Sequence, residues 1–190
     1  MTLAAVELSV RKAAMRDIPH VLRLINAYAA AGVMLPRTEF EMSENIRDFS
    51  VAFDGNSLVG CGALHFYTPT TAEVRSLAVL PELKQHGVGR VVVQALETEA
   101  QENELEAIFA FTYVPGFFKK LGFAEVERGE LPLKAWKDCL RCPKFHSCDE
   151  VAVLKRLRTP ANPSLFTHAL VAGNGELIQL PQIVGSHIAR

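Results

Sequence analysis

EVRSLAVLPELKQHGVGRVVVQAL, residues Glu73 to Leu96, reads as a buried strand, a loop rich in backbone donors, and a helix. The strand runs from Glu73 to Val79, and the breaker Pro81 ends it. The loop is Lys84-Gln85-His86-Gly87-Val88-Gly89. Beyond it, Val88, Val91, Val92, Ala95 and Leu96 recur at the i, i+3, i+4, i+7, i+8 spacing of a helix with one face in a core.

Two glycines at the mouth of a helix leave backbone N–H groups unobstructed, and the first turn has no partners of its own for them. With the helix dipole, this makes a seat for a phosphate or pyrophosphate. The same residues also fit an ordinary strand-to-helix turn in which glycine supplies backbone freedom. No Gly-Lys-Ser/Thr follows, so the loop is not a Walker loop, and its spacing is not the dinucleotide GxGxxG.

Toward the N-terminus, Val6 to Lys12 alternates apolar and polar residues and predicts a first strand. Asp17 reads as an N-cap with Pro19 in the first turn; Ile18, Val21, Leu22, Ile25 and Ala29 line one helix face, and Gly32 stops the helix. Thr38-Glu39-Phe40-Glu41 has capping-box spacing and opens a second helix to about Asp48. Phe49 to Phe53 and Ser57 to Phe66 read as strands joined by the hairpin signal Asp54-Gly55-Asn56. Gly60 and Gly62 inside the second of these mark a bulge or a close backbone approach. Thr68-Pro69-Thr70 makes the next turn.

Toward the C-terminus, Leu105 to Thr112 is an apolar strand. Pro115 opens a short helix that Gly122 ends, and Phe123 to Glu127 and Val151 to Leu157 read as the last strands. Leu133 and Trp136 are expected to pack over the sheet, and the Glu97, Glu99, Glu102, Glu104 run reads as an exposed helix end. Strands with interspersed helices predict an α/β (α+β) domain around one mixed central sheet with flanking helices. Residues 158–190 differ in kind: Pro160, Pro163, Gly173, Gly175 and Pro181 punctuate them, and 177–184 reads as an added strand or a docking arm.

At 190 residues and 49% hydrophobic content, the chain can bury one full core. A formal net charge of −1 offers no basic surface for nucleic acid. Glu7, Arg11 and Lys12 interrupt the N-terminus too early for a signal peptide, and no run is long enough to span a membrane. The four cysteines then fit a reducing, cytoplasmic setting.

Strict strand alternation places Glu73, Arg75, Leu77 and Val79 on one face. Glu73 and Arg75 are then either a salt bridge at the sheet end or a base beside an anion anchor. Arg37 ends the apolar loop Val33-Met34-Leu35-Pro36 and is either a solvated cation or a second anchor, since guanidinium matches carboxylate in bidentate fashion.

The loop resembles the acyl-CoA loop of the GNAT acetyltransferases, Gln/Arg-x-x-Gly-x-Gly/Ala, with Lys84 at the Gln/Arg position and Gly87 and Gly89 at the glycines. The resemblance runs over roughly residues 7–157. Ala31 to Arg37, Val59 to Leu64 and Glu73 to Val79 are similar to the N-acetylglutamate synthase group of that superfamily. It implies a GNAT domain over 1–157 with splayed central strands, and a C-terminal extension over 158–190. It implies acetyl-CoA as cosubstrate, held by the main chain of Leu77, Ala78 and Val79 and by Lys84, Gln85, His86, Gly87, Val88, Gly89 and Arg90, with Phe117 alongside. It implies that Arg37 and Arg75 hold the carboxylates of an amino acid, glutamate first. It is compatible with a homodimer. Acetyl transfer needs a neutral amine, and Glu73 is the candidate base, acting directly or through a water.

Phe118 stands where many members of the superfamily carry the tyrosine that protonates the leaving thiolate. The acid is therefore unassigned, with Tyr113 or water as substitutes, and Thr112 is a further hydrogen-bonding candidate. Cys139, Cys142, Cys148 and nearby His146 have zinc-ligand chemistry, but equally read as reduced thiols on a loop, and no metal is assigned. His65 and His86 read as structural or solvated. Other readings of the whole are an acetyltransferase for glutamine, a polyamine or a protein, and a non-catalytic acyl-CoA-binding regulatory module. A polyamine site would be lined by carboxylates, whereas these anchors are cationic.

Overall fold

The computed structural model describes residues 8–131 and 142–158. In chain order the elements are β1 (Leu8–Lys12), α1 (Ile18–Ala30), α2 (Glu39–Asn45), β2 (Phe49–Asp54), β3 (Ser57–Phe66), β4 (Thr71–Val79), α3 (Val88–Glu102), β5 (Ala107–Thr112), α4 (Pro115–Lys119), β6 (Ala124–Glu125) and β7 (Val151–Arg156). The strands form one mixed sheet in the order β1-β2-β3-β4-β5-β7-β6. Every pairing is antiparallel except β4 with β5.

The apolar periodicity of α3 decides one layer. Val88, Val92, Val93, Leu96 and Ala100 are buried against Ala52, Leu64, Ala72 and Val74 of the sheet. The opposite face is covered by α1 and α2, where Ile18, Val21, Leu24, Ile25 and Met42 pack on Phe49, Val51, Cys61 and Ala63. Burying each such valine or leucine contributes roughly 1.5–3 kcal/mol relative to leaving it in water. Gly60 and Gly62 let α3 approach: a Cβ on them would lie 2.7 Å from Val88 Cγ1 and 2.9 Å from Val92 Cγ1.

The central strand departs from the expected alternation. Ala63 pairs with Arg75 but Cys61 pairs with Ala78, so Ser76 and Leu77 together oppose Gly62. This is a β-bulge, and Ser76 takes a φ of +52° to make it. The extra residue reverses the faces. Glu73 and Arg75 stay on the α1/α2 side, whereas Leu77 and Val79 pack against the α3 core. The expectation that all four share a face is therefore wrong, because period-2 parity holds only through an unbroken ladder. β4 also pairs with β5 only from Thr71↔Ala107 to Glu73↔Phe109. Beyond that point the two strands splay, as the resemblance implies.

Local readings are corrected in detail. Asp17 does not cap α1 with its side chain; its carboxylate accepts from the Ala14 N–H at 2.7 Å and from Arg11 at 2.7 and 2.9 Å. Leu24, not Leu22 or Ala29, completes the buried face of α1. The Thr38/Glu41 capping box forms as expected. Only Ala124–Glu125 of the 123–127 segment pairs as strand. Glu97 and Glu99 do more than solvate α3: they pair with Lys155 at 2.6 Å and Lys12 at 2.7 Å, tying the helix to β7 and β1. Among the described residues no helix is long and apolar enough to cross a membrane. Leu133, Trp136, Cys139 and the 177–184 segment lie outside the described residues, as does all but the first residue of the 158–190 extension.

Candidate functional site

The splay of β4 from β5 sits beside a cavity of about 840 Å³. Five residues singled out from the sequence line it together: Arg37, Glu73, Arg75, Leu77 and Lys84. Thr112, Tyr113 and Phe118 line it as well. The bulge accounts for this meeting. Upstream of it β4 presents charge to the cavity, and downstream it presents Leu77 and an unpaired edge.

Glu73 is only 1% exposed, and Tyr67 Oη donates to its Oε2 at 3.2 Å. Arg75 is 8% exposed, with Nη2 at 3.8 Å from Asp48 Oδ2. The same carboxylate oxygen lies 2.6 Å from His65 Nδ1. His65 stands opposite Glu73 in the β3–β4 register, and its ring meets Tyr67 edge-on at 5.0 Å. The Glu73/Arg75 pair therefore belongs to a larger polar network on the sheet face. Asp48 and Tyr67 were not singled out from the sequence, and His65 was read as structural or solvated. The tight Thr68–Thr70 turn was the available signal for His65, since a hairpin closed there places it across from Glu73. No local pattern marks Asp48, which arrives by the fold.

The second half of the site is the loop before α3. Lys84, Gln85, His86 and Arg90 are exposed there. Gln85 and Gly87 both take positive φ, +70° and +86°. The bond from Val91 N–H to Gly87 O, 3.1 Å, closes the first turn of α3, so the Val88, Gly89 and Arg90 N–H groups precede it at the positive end of the helix. A Cβ on Gly89 would lie 3.3 Å from Phe117 Cζ, so the Phe117 ring of α4 packs against one side of this helix mouth. Unobstructed amides flanked by Lys84 and Arg90 fit the diphosphate of a CoA molecule. Lys84 Nζ also rests 5.0 Å above the Tyr28 ring, and Tyr28 Oη donates to the Val79 carbonyl at 2.6 Å. Tyr28, also missed, thus bridges the β4 edge and the loop. The Ala78 side chain is buried on the α1 side, so only its main chain is available to a ligand.

Phe118 is buried and stacks edge-on with Phe117 at 5.2 Å and Phe123 at 5.1 Å. Its place is filled by a hydrocarbon ring with no proton to give. The Tyr113 hydroxyl accepts from Lys144 Nζ at 3.3 Å, and partial burial, the largest influence, raises its pKa. His86 stays exposed on its loop. Cys142 and Cys148 line the cavity wall. Among the described residues no three His, Cys, Asp or Glu side chains converge as a metal site. Cys61 is fully buried, and desolvation pushes its thiol up to about 12.

These features match known proteins. The Acetyltransferase (GNAT) family matches residues 21–123. An uncharacterised N-acetyltransferase of Chlorobaculum tepidum is 41% identical over 155 residues, 82% of this chain and 100% of that protein. An amino-acid acetyltransferase of Mycobacterium tuberculosis is 33% identical over 121 residues, 62% of this chain and 69% of that protein. The N-acetylglutamate synthase of Neisseria gonorrhoeae, solved with coenzyme A and N-acetyl-glutamate, superposes with a TM-score of 0.72 at 26% identity, over 80% of this chain. The match spans only 35% of that synthase's length. Fold, loop and matches together show that the chain belongs to the GNAT acetyltransferase family and is an acetyl-CoA-dependent acetyltransferase related to the amino-acid acetyltransferases.

Proposed function

We propose that this enzyme acetylates the α-amino group of an amino acid, L-glutamate first, and so performs the N-acetylglutamate synthase reaction that begins arginine biosynthesis. One observation carries the reading: Arg37, from the loop before α2, and Glu73 and Arg75, from β4, line a single cavity beside the splayed edge of that strand. Two guanidinium groups suit the two carboxylates of glutamate, each by paired charge-assisted hydrogen bonds.

Acetyl-CoA, when bound, supplies a thioester carbon open to attack. The loop from Lys84 to Arg90 holds its diphosphate with main-chain amides and two cations. The freed edge of β4 at Leu77 and Val79 pairs with the amide-bearing arm, as a strand edge pairs with an added peptide. Arg37 and Arg75 orient the amino acid so that its amine faces the thioester. Holding two reactants in line is worth a large part of such a barrier. Glu73 accepts the proton of the α-ammonium through a water, which frees the nitrogen lone pair. The C–N bond then forms, the nitrogen gives its second proton to solvent, the C–S bond breaks, and the thiolate is protonated from solvent or from Tyr113.

The test is release of free CoA thiol from acetyl-CoA on addition of L-glutamate, extended across the common amino acids. Release with glutamate above the others is expected. No release with any amino acid would overturn the proposal.

A further inference from the structure

Asn26 lies on the exposed side of α1, in a turn whose neighbours Leu24 and Ile25 are buried. Its side chain makes two hydrogen bonds to one distant residue. Asn26 Nδ2 donates to the Arg37 carbonyl at 3.0 Å, and the Arg37 N–H donates to Asn26 Oδ1 at 2.9 Å. One carboxamide thereby satisfies both main-chain groups of Arg37, as a neighbouring strand would do. The next residue is also fixed. Thr38 caps α2: its Oγ1 accepts from the Glu41 N–H at 3.2 Å, and its own N–H donates to Glu41 Oε2 at 2.9 Å. The main chain at Arg37 is thus clamped to α1 on one side and locked to the cap of α2 on the other. The preceding loop, which turns at Gly32 with φ +73°, has that clamp as its far anchor. Helix α1 is held in the core by Ile18, Val21, Leu24 and Ile25, so the clamp transmits the rigidity of the core to a loop on the cavity wall.

We propose that Asn26 is a positioning residue for the acceptor: by gripping the Arg37 main chain it sets where that guanidinium meets the amino acid's carboxylate. The inference rests on Arg37 being a carboxylate anchor. Misplacing a substrate-holding group by about 1 Å costs up to about 100-fold in rate. The side chain touches no reacting atom, so its influence passes through Arg37 alone.

The experiment is steady-state thiol release with acetyl-CoA and the preferred amino acid, on Asn26→Ala, Arg37→Ala and the double variant. Asn26→Ala is expected to raise the acceptor KM about 10-fold and leave the acetyl-CoA KM within about twofold. Asn26→Asp keeps the acceptor for the Arg37 N–H and loses only the donor, so it falls between wild type and alanine; it also serves if the alanine variant does not fold. In the Arg37→Ala background, Asn26→Ala is expected to add nothing, because residues acting through one contact are non-additive. An unchanged acceptor KM in Asn26→Ala beside a raised one in Arg37→Ala overturns this inference and leaves the acceptor reading standing. Full additivity overturns it too. An unchanged acceptor KM in Arg37→Ala overturns the role given to Arg37 and this inference with it.

Discussion

The two halves of β4, before and after Ser76, behave as different materials. Before it, Thr71 to Glu73 are paired on both edges, and the side chains facing α1 and α2 are the buried Glu73 and Arg75, tied to Tyr67 and Asp48. After it, the strand is paired with β3 alone, and its outward side chains Leu77 and Val79 pack on α3. The β5-facing edge opens after Glu73, and just beyond it one extra residue bends the strand and shifts its parity, which moves the apolar side chains to the other face. Charge and free backbone edge are thereby placed next to each other without competing for one face. The charged half suits recognition of a small polar acceptor, and the open half suits an extended, amide-bearing arm.

That contrast can be broken one half at a time. The largest effect is expected on the charged half. Arg75→Ala removes the proposed carboxylate anchor from the cavity wall, and a hydrogen bond to a charged group is worth about 1.5–3 kcal/mol. The acceptor kcat/KM should fall about 100-fold while the acetyl-CoA KM moves within about twofold, read by steady-state thiol release. Equal rises in both KM values would mean that the charged half does not serve the acceptor. A smaller effect, on the other half, is expected from Gly62→Val. Its Cβ would lie 2.9 Å from Val92 Cγ1 and 3.4 Å from Leu77 Cδ1, pushing α3 away from the bulge. Overpacking of this kind costs about 1–3 kcal/mol. A fall in Tm of roughly 4–8 °C, with the acetyl-CoA KM rising more than the acceptor KM, would show that the helix face governs the cofactor side.

The smallest effect is expected away from both halves. Asp17 is held below the usual carboxylate range chiefly by its hydrogen bonds from Arg11. A depressed carboxyl stabilises the fold above its unfolded pKa, and that contribution is lost as pH falls through the folded value. Asp17→Asn should therefore cost about 1 kcal/mol in urea denaturation at neutral pH, and the gap to wild type should close in acid, below the ordinary aspartate range. Neither KM should change. A gap that persists undiminished in acid would remove the Arg11 contact as its cause.

Much of this site was legible in the chain. Val88, Val92 and Leu96 recur at helical spacing, and Gly87 and Gly89 at the helix mouth identified the loop, because both signals are local. Thr38 and Glu41 formed their box for the same reason. Arg37 and Arg75 were singled out by residue type and by the family resemblance, and they do line one cavity. The parity of Leu77 and Val79 was misread because Gly62 marks an irregularity on β3, while nothing on β4 marks the extra residue; Ser76 is an ordinary residue in an extraordinary φ. Asp17 was misread because a carboxylate near a helix start has several donors in reach, and the fold gave it Arg11 and Ala14.

The sequence by itself determined the elements, the glycine-edged loop and the residue types available for chemistry. These depend on side-chain periodicity, backbone freedom and charge within a few residues. Only the tertiary structure decided which face each half of β4 presents, that Asp48, His65 and Tyr67 surround Arg75 and Glu73, and that Asn26 grips Arg37. Each of those depends on sheet register and on distances between segments far apart in the chain, where a shift of one residue changes every neighbour.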